Sequence, residues 1–319
     1  MINNIRSEIN MKLITGEENS VWDNFVASGI NPCFYQNSAF IDYYRYKVSR
    51  VYKIAFLKKG DIFAAIAGGI SKENTELFLS PFSASFGGFC YSRETKLKDV
   101  FGAIEIMEEF LNDNGIRKIV IRQTPSIYFI EPDDYILYVL AYFGYKPVST
   151  DLTLYISNNG KVSDTFLRNV KKAKREGLVF TESENASDIF SFIHQQKLKK
   201  DIPFSISEGE LIDLKERFPD LIKCYSVLLE EKIIAAIIVY YLNKITALGF
   251  NWAHDDDFQS LRPVDFLLFS AAEAVFKNGS KYFDLGTTTL SGEPNWGVTR
   301  FKENLNPCGA LRITYEKDL

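Results

Sequence analysis

The chain has 319 residues, of which 46% are apolar and 24% charged, and a net charge of −4. At about 150 residues per domain this length suggests two domains, and the composition excludes disordered, collagen-like and low-complexity classes. The acidic balance excludes a general cationic coat for nucleic acid, so a polyanion would need a local basic patch.

In chain order, Val51 to Ile70 reads as two strands around the turn Lys58-Lys59-Gly60-Asp61, with a third strand over Thr75–Leu79. A turn-rich stretch with three serines follows, Leu79 to Phe89, in which Pro81 and Gly87-Gly88 bracket two aromatics. It fits a pocket lining or a connection with its aromatics tucked into the core. Val100, Ile104, Met107 and Leu111 then share one face of a helix that stops at Asn114-Gly115, before a strand over Lys118–Arg122. An amphipathic helix over Asp134–Tyr145 precedes a boundary near Lys146–Ser149, and Asp151–Ile156 alternates as a strand.

The helix that follows is basic. Arg168, Lys171, Lys172 and Arg175 fall at i, i+3, i+4 and i+7, with Lys197, Lys199 and Lys200 on the next helix; such a face suits phosphates, though a charge run is usually a solvated surface. His194 lies on the next helix among Phe190, Phe192 and Ile193, as an ordinary packed histidine would. Cys224 to Leu242 is again two strands around a turn. Ile233, Ala235, Ala236 and Ile237 repeat Ile62, Ala64, Ala65 and Ile66 at a constant offset of 171 residues. A third strand (Ile245–Asn251), a helix with Phe266, Phe269, Ala272 and Phe276 on one face, an Asn278-Gly279 stop and a strand over Lys281–Leu285 complete the second copy. Between them, His254 heads the acidic run Asp255-Asp256-Asp257, read as a solvated loop because three consecutive carboxylates cannot face one ion. The polar loop Thr287–Gly297, then Arg300-Phe301-Lys302 and a last strand over Leu311–Tyr315, end the chain. By spacing this is a binding loop or a surface loop with a solvated lysine.

The pattern is a duplicated α/β (α+β) unit with mixed, mostly antiparallel sheets. We place the units at residues 1–148 and 149–319, with the last strand free to return to the first unit. Two such units side by side leave a cleft where ligands bind. Four separated cysteines without a CxxC pair and only two histidines argue against a disulfide framework or a metal site. Met1–Lys12 has no apolar leader, and the longest apolar run, Ile233–Leu242, is half of a bilayer span. The expectation is a soluble, reduced, cytoplasmic protein.

Four pieces, in order along the chain, resemble the FemAB-like branch of the GNAT acyltransferase superfamily, relatives of the peptidoglycan interpeptide-bridge transferases. They are Phe34-Tyr35-Gln36-Asn37-Ser38; Ser80-Pro81-Phe82 with Gly87-Gly88; the segment Leu167–Gly177; and Phe283-Asp284-Leu285-Gly286 followed by Gly297-x-x-x-Phe301-Lys302. The resemblance implies a tandem pair of GNAT-like domains that transfer an acyl or aminoacyl group to an amine. It implies acyl-CoA or aminoacyl-tRNA as donor, a cell-envelope precursor or nucleotide-linked amino sugar as acceptor, possible tRNA contact, and no metal. It further implies Lys302 as the cation beside the reacting carbonyl and Glu316 as its orienting partner or proton acceptor. Arg168, Lys171, Lys172, Arg175, Ser80, Gly87, Gly88, Asp284 and Arg300 are the implied substrate contacts. Three positions depart from the family pattern: Thr124 where an Asp precedes Pro125, Tyr44 where a basic residue is common, and Phe258–Pro263, which lacks the glycines of a CoA pyrophosphate loop. The alternative is a non-catalytic module of the same fold that binds a nucleotide sugar or a tRNA end.

Overall fold

The computed structural model describes residues 8–319; the first seven, part of the segment read above for a leader, lie outside the described residues. The chain divides into two compact units. Unit 1 holds the residues up to Leu152, with Ser291–Glu293 and Ala310–Leu319; unit 2 holds Thr153–Leu290 and Pro294–Gly309. Lys146–Ser149, the boundary expected from the sequence, lies within a strand, and the division falls a few residues later.

Unit 1 opens with β1 (Ile9–Leu13), α1 (Asn19–Ser28) and the short α2 (Ser38–Tyr43). A meander of β2 (Val48–Lys58), β3 (Asp61–Ser71) and β4 (Leu77–Ser80) follows, then β5 (Phe89–Tyr91), α3 (Leu97–Asp113), β6 (Lys118–Arg122) and α4 (Tyr135–Tyr142). β7 (Lys146–Ser157) belongs to unit 2 from Thr153 on. After it come α5 (Asp164–Arg175), β8 (Val179–Glu182), α6 (Ala186–Leu198) and α7 (Glu208–Arg217). The second meander is β9 (Ile222–Leu229), β10 (Lys232–Tyr241) and β11 (Thr246–His254), followed by α8 (Pro263–Lys277), β12 (Tyr282–Thr287) and α9 (Trp296–Glu303). The last strand, β13 (Cys308–Asp318), belongs to unit 1 from Ala310 on.

The strand orders of the two units correspond. Unit 1 runs β1-β2-β3-β4-β6-β13, with β5 also on β3; unit 2 runs β8-β9-β10-β11-β12-β7. In each, one neighbouring pair is parallel, β4 with β6 and β11 with β12, and the other pairs on these paths are antiparallel. A parallel pair needs a long crossover, which α3 and α8 supply. The sixth strand of each unit is drawn from chain that follows the other repeat.

The hairpins close where the sequence places turns. Lys58 pairs with Asp61 around Lys59 and Gly60, which take φ of 54° and 95°, the left-handed pair that matches strand twist. Helices α3 and α8 stop at Gly115 and Gly279, both left-handed. On β2 and β3, Ile54, Phe56 and Ile66 face a core with Ile104, Met107 and Leu111 of α3. The alternate residues Ala55, Ala65 and Ala67 pack against Trp22 and Val26 of α1. Burial on both faces explains why these strands read as continuous apolar runs. In unit 2, Ala235, Ile237 and Val239 pack on Leu267, Ala271 and Val275 of α8, while α6 covers β10 and β11.

Candidate active site

The site is built where two parallel strands part. β11 and β12 pair through Thr246–Tyr282, Ala247–Phe283 and Leu248–Asp284, and the ladder ends there although both strands continue. β11 bulges at this level, Ile238 pairing with Asn251 and Val239 with Gly249. β12 turns at Gly286, whose φ of 81° a β-carbon would resist. Asp284 is fully buried. Its Oδ1 accepts from the hydroxyl of Thr153 on β7 and from the Gly286 backbone N–H at 2.8 Å.

The loop expected over Thr287–Gly297 runs into a helix, α9, that carries Arg300, Phe301 and Lys302. Asn295 caps it, its Oδ1 accepting from Val298 N at 3.1 Å. The helix carries Lys302 back to the strand end. Lys302 is 2% exposed, and its Nζ donates to the carbonyls of Gly286 and Thr287, each at 2.8 Å. Phe301 beside it meets the ring of Trp252 on β11, centroids 5.8 Å apart. So α9 is pinned to both parting strands, and an ammonium is fixed at their fork. Arg300 is exposed on the same helix.

The other expected residues are placed differently. Glu316 lies on β13 in unit 1, where its carboxylate takes Lys118 Nζ at 2.6 Å. The orienting groups seen at Lys302 are instead the two carbonyls. Ser80 and Gly87 do not present free donors, and Gly88 is held through its carbonyl. The Ser80 hydroxyl donates to Ala67 O at 2.6 Å, Gly87 N donates to Arg122 O, and Gly87 O accepts from the Thr124 hydroxyl at 2.7 Å. Gly88 O accepts from Gln36 Nε2, and Phe89 is gripped at its N–H and carbonyl by Gln123, with Asn31 Nδ2 also on the carbonyl. Gly87 bridges to Gln123 in parallel just beyond the last β4–β6 pair, Ser80–Ile121. In unit 1 the place beyond the last parallel pair is thus taken by the unit's own loop. Thr124, the departure noted above, is one of the straps.

On α5, Arg168, Lys171 and Arg175 are exposed and Lys172 is half-buried. None of the four has a carboxylate within ion-pair distance among the described residues; Arg168 donates to the Thr165 hydroxyl at 3.0 Å. Ser163 caps the helix and the cations crowd its C-terminal turn, where the dipole favours them.

One cation on the next helix, Lys197, has a setting that its charge run does not signal. Lys197 on α6 donates to Asn251 Oδ1 of β11 and lies 5.1 Å from the Phe204 ring centroid. Burial pushes its ammonium below the usual lysine range. Desolvation of this kind is a tertiary effect with no local sequence signal. The thiols of Cys33 and Cys224 are pushed up to about 12 by burial, which removes them as nucleophiles at neutral pH.

The start of α8 decides how a CoA pyrophosphate would fare. A helix N-terminus binds phosphate through free N–H groups. Here Pro263 takes the first helical position, and Asp265, 5% exposed, puts a carboxylate into the first turn, held by Asn169 Nδ2 at 3.0 Å. The preceding turn carries Asp255 and Asp256, engaged by Lys232 and Lys200 at 3.4 and 2.8 Å. These residues do not fit a pyrophosphate. Among the described residues no cluster of three His, Cys, Asp or Glu is arranged to hold a metal ion, and no helix is long and apolar enough to cross a membrane.

Comparison with known proteins agrees with this architecture. Residues 161–303 match the acetyltransferase (GNAT) domain family. No curated protein sequence matches the chain. Among solved structures, FemX superposes with a TM-score of 0.75 at 11% identity, covering 97% of both chains. A tandem GNAT protein from the clavulanic acid biosynthesis pathway gives 0.54 at 8% identity over 98% of each chain. The C-terminal domain of a candidate lysylphosphatidylglycerol synthetase from Agrobacterium fabrum gives 0.56 at 16%, covering 80% of this chain and 81% of that one. The fold is therefore a tandem pair of GNAT-like units, and the chain resembles the FemAB-like branch of that superfamily.

Proposed function

We propose that the chain is an N-acyltransferase that moves an acyl or aminoacyl group onto an amine of a cell-envelope precursor or nucleotide-linked amino sugar. The observation that carries this reading is the Lys302 ammonium, buried and tied to the Gly286 and Thr287 carbonyls at the fork of β11 and β12. In such a transfer the amine attacks an ester or thioester carbonyl, a tetrahedral oxyanion develops, and the alcohol or thiol leaves with the proton that the amine gives up. A preorganised cation beside that oxygen lowers the barrier by about 3–4 kcal/mol. Asp284 serves as a positioning residue, since it fixes the Gly286 turn that Lys302 reads.

The misfit of α8 to a pyrophosphate favours an aminoacyl ester over a CoA thioester, and the uncompensated cations of α5 suit the phosphates of a tRNA end. The name of FemX and that of the lysylphosphatidylglycerol synthetase lend support only by analogy of fold.

The test is product mass spectrometry on the purified chain, given aminoacyl-tRNA in one arm and acyl-CoA in another, with sugar-nucleotide amines as acceptors. An amide product in either arm, lost in Lys302→Met, is expected. Ligand binding without product in both arms would leave the non-catalytic module as the better reading.

A further inference from the structure

Lys197 is a titratable group that the transfer described above leaves without a role. It lies near the end of α6 and is half-buried. Its Nζ donates to Asn251 Oδ1, the one hydrogen bond it makes among the described residues, and no carboxylate lies within ion-pair distance of it. Its other neighbour is the Phe204 ring, with the centroid at 5.1 Å, part of a stack with Phe190 and His194. An amide and an aromatic stack take water from an ammonium without supplying a counter-ion. Burial alone pushes its ionisation below the usual lysine range. The charged groups on the elements around it are engaged elsewhere. Lys199 bonds Gln196 Oε1 at 3.1 Å and Lys200 bonds Asp256 at 2.8 Å, and His254 of β11 lies 3.2 Å from Asp256. Lys232 of β10 is on Asp255, Lys223 of β9 on Glu182, and Glu208 of α7 on the Ser187 hydroxyl.

The partner of Lys197 belongs to the fork. A β-carbon on Gly286 would meet Gly249 O of β11 at 3.6 Å and Lys302 Nζ at 3.9 Å, so that carbonyl and that ammonium converge on one point. Asn251 follows Gly249 by two residues, about 7 Å along the strand. Trp252 comes next and packs with Phe301 in the α8 core. Neighbouring residues of a strand point to opposite faces, so Asn251 is turned to the face that α6 covers. Two lysines thus reach β11 just beyond its last pair with β12, Lys302 carried by α9 and Lys197 by α6. Two carbonyl acceptors favour the charged form of Lys302. Lys197 has a single amide oxygen and a drier setting than solvent.

We propose that Lys197, as the free amine, takes the proton from the attacking acceptor amine, and that Asn251 positions it. This deepens the transfer reading above and rests on it. A neutral lysine that donates one N–H to Asn251 keeps its lone pair for a proton. The acceptor nitrogen bonds to the ester or thioester carbonyl carbon, and the carbonyl electrons move to the oxygen beside Lys302. One proton then passes from that nitrogen to Lys197 Nζ. The carbonyl re-forms, the C–O or C–S bond breaks, and the leaving oxygen or sulfur takes a proton back from Lys197, which restores the free amine. Glu316, the proton acceptor expected from the sequence, is engaged by Lys118.

The experiment has two parts. The first needs no turnover: the intact chain is labelled with limiting acetic anhydride across roughly pH 6 to 11, the range in which lysines titrate, and the peptide bearing Lys197 is quantified by mass spectrometry. Lys197 should reach half-labelling about one pH unit or more below the exposed lysines as a group; labelling at or above their midpoint overturns the proposal. The second part follows kcat/KM for amide formation against pH in the unsubstituted chain, Lys197→Arg and Asn251→Asp, each checked by circular dichroism. Arginine keeps the charge and a donor for Asn251 but cannot give up its proton, so transfer should fall about 100-fold or more. Asn251→Asp sets a carboxylate against the ammonium and raises its ionisation, so the acid limb of the profile should move to higher pH, with activity recovering there. Comparison with the unsubstituted chain cancels the acceptor's own ionisation. Activity within threefold in Lys197→Arg, or an unmoved acid limb in Asn251→Asp, would overturn the assignment. Should Lys197→Arg misfold, the limb in Asn251→Asp decides. No product from the unsubstituted chain with either donor fails the transfer reading and this one with it, whereas product that survives Lys197→Arg fails this one alone.

Discussion

The Thr153 hydroxyl donates to the Asp284 carboxylate, joining two fully buried side chains on neighbouring strands 131 residues apart in the chain. The same oxygen holds the Gly286 N–H. Replacing Asp284 by Leu strands two donors in a dry interior, each costing about 1–3 kcal/mol. Thr153→Val removes one of the donors along with the bond. A urea-unfolding cycle over Thr153→Val, Asp284→Leu and the double variant is expected to show coupling of about 0.5–3 kcal/mol. Additive single effects would mean that the pair does not hold the turn.

Lys302→Met keeps the stem of the side chain and deletes the ammonium. Turnover should fall about 10²–10³-fold, the usual loss when one oxyanion-stabilising group is removed. The Gly286 and Thr287 carbonyls also lose their donor, so the melting temperature should drop. Single-turnover kinetics at a temperature where both proteins are folded separates the two effects. Unchanged turnover would take Lys302 out of the mechanism.

The repeat was legible because its strands are buried on both faces, which forces the same Ile-x-Ala-Ala-Ile pattern into β3 and β10. Helix α9 was not. It is one eight-residue stretch with Gly297 and Thr299, weak helix formers, and its existence depends on Lys302 and Phe301 docking. The Gly87-Gly88 loop looked like a binding loop because glycines and serines mark both uses. What fills it are amides from Asn31, Gln36 and Gln123, three segments that no local pattern connects.

Gly88 and Gly115 provide a matched pair. Both have positive φ, at 70° and 84°, but a β-carbon on Gly88 would meet Gln123 Oε1 at 2.2 Å, whereas one on Gly115 would meet nothing within 4 Å. The left-handed conformation costs an alanine about 1–2 kcal/mol at either place. Gln123 cannot yield without breaking both bonds to Phe89. Gly88→Ala should therefore lower the melting temperature clearly more than Gly115→Ala. Equal shifts would show that the amide strap is soft.

Acid should weaken the fold through His254. Burial pushes its imidazolium below 6.5, with Lys200 acting in the same direction and Asp256, Asp255 and Asp265 opposing. A folded-state value below the unfolded one means that the unfolded chain binds the proton first. The contribution is intact above pH 6.5 and is lost as the pH falls from there through the folded value. Melting temperatures taken between pH 7.5 and 5, on the order of the histidine range, should fall less steeply in His254→Asn than in the unsubstituted chain. Parallel curves would assign the acid sensitivity to other groups.

The cations of α5 bear on the donor. Among the described residues none of Arg168, Lys171, Lys172 and Arg175 has a carboxylate within ion-pair distance, so replacing all four by Gln should leave stability nearly unchanged. If they contact the phosphates of a single-stranded tRNA end, each contact contributes about 0.7 to the slope of log affinity against log salt. The fourfold variant should then bind tRNA more weakly and lose about 2–3 units of slope, readable by fluorescence anisotropy across a salt series. A slope that stays the same while affinity falls would mean that the helix acts through some other contact. A variant that binds as tightly as before would leave α5 a solvated face and remove the principal support for a tRNA donor.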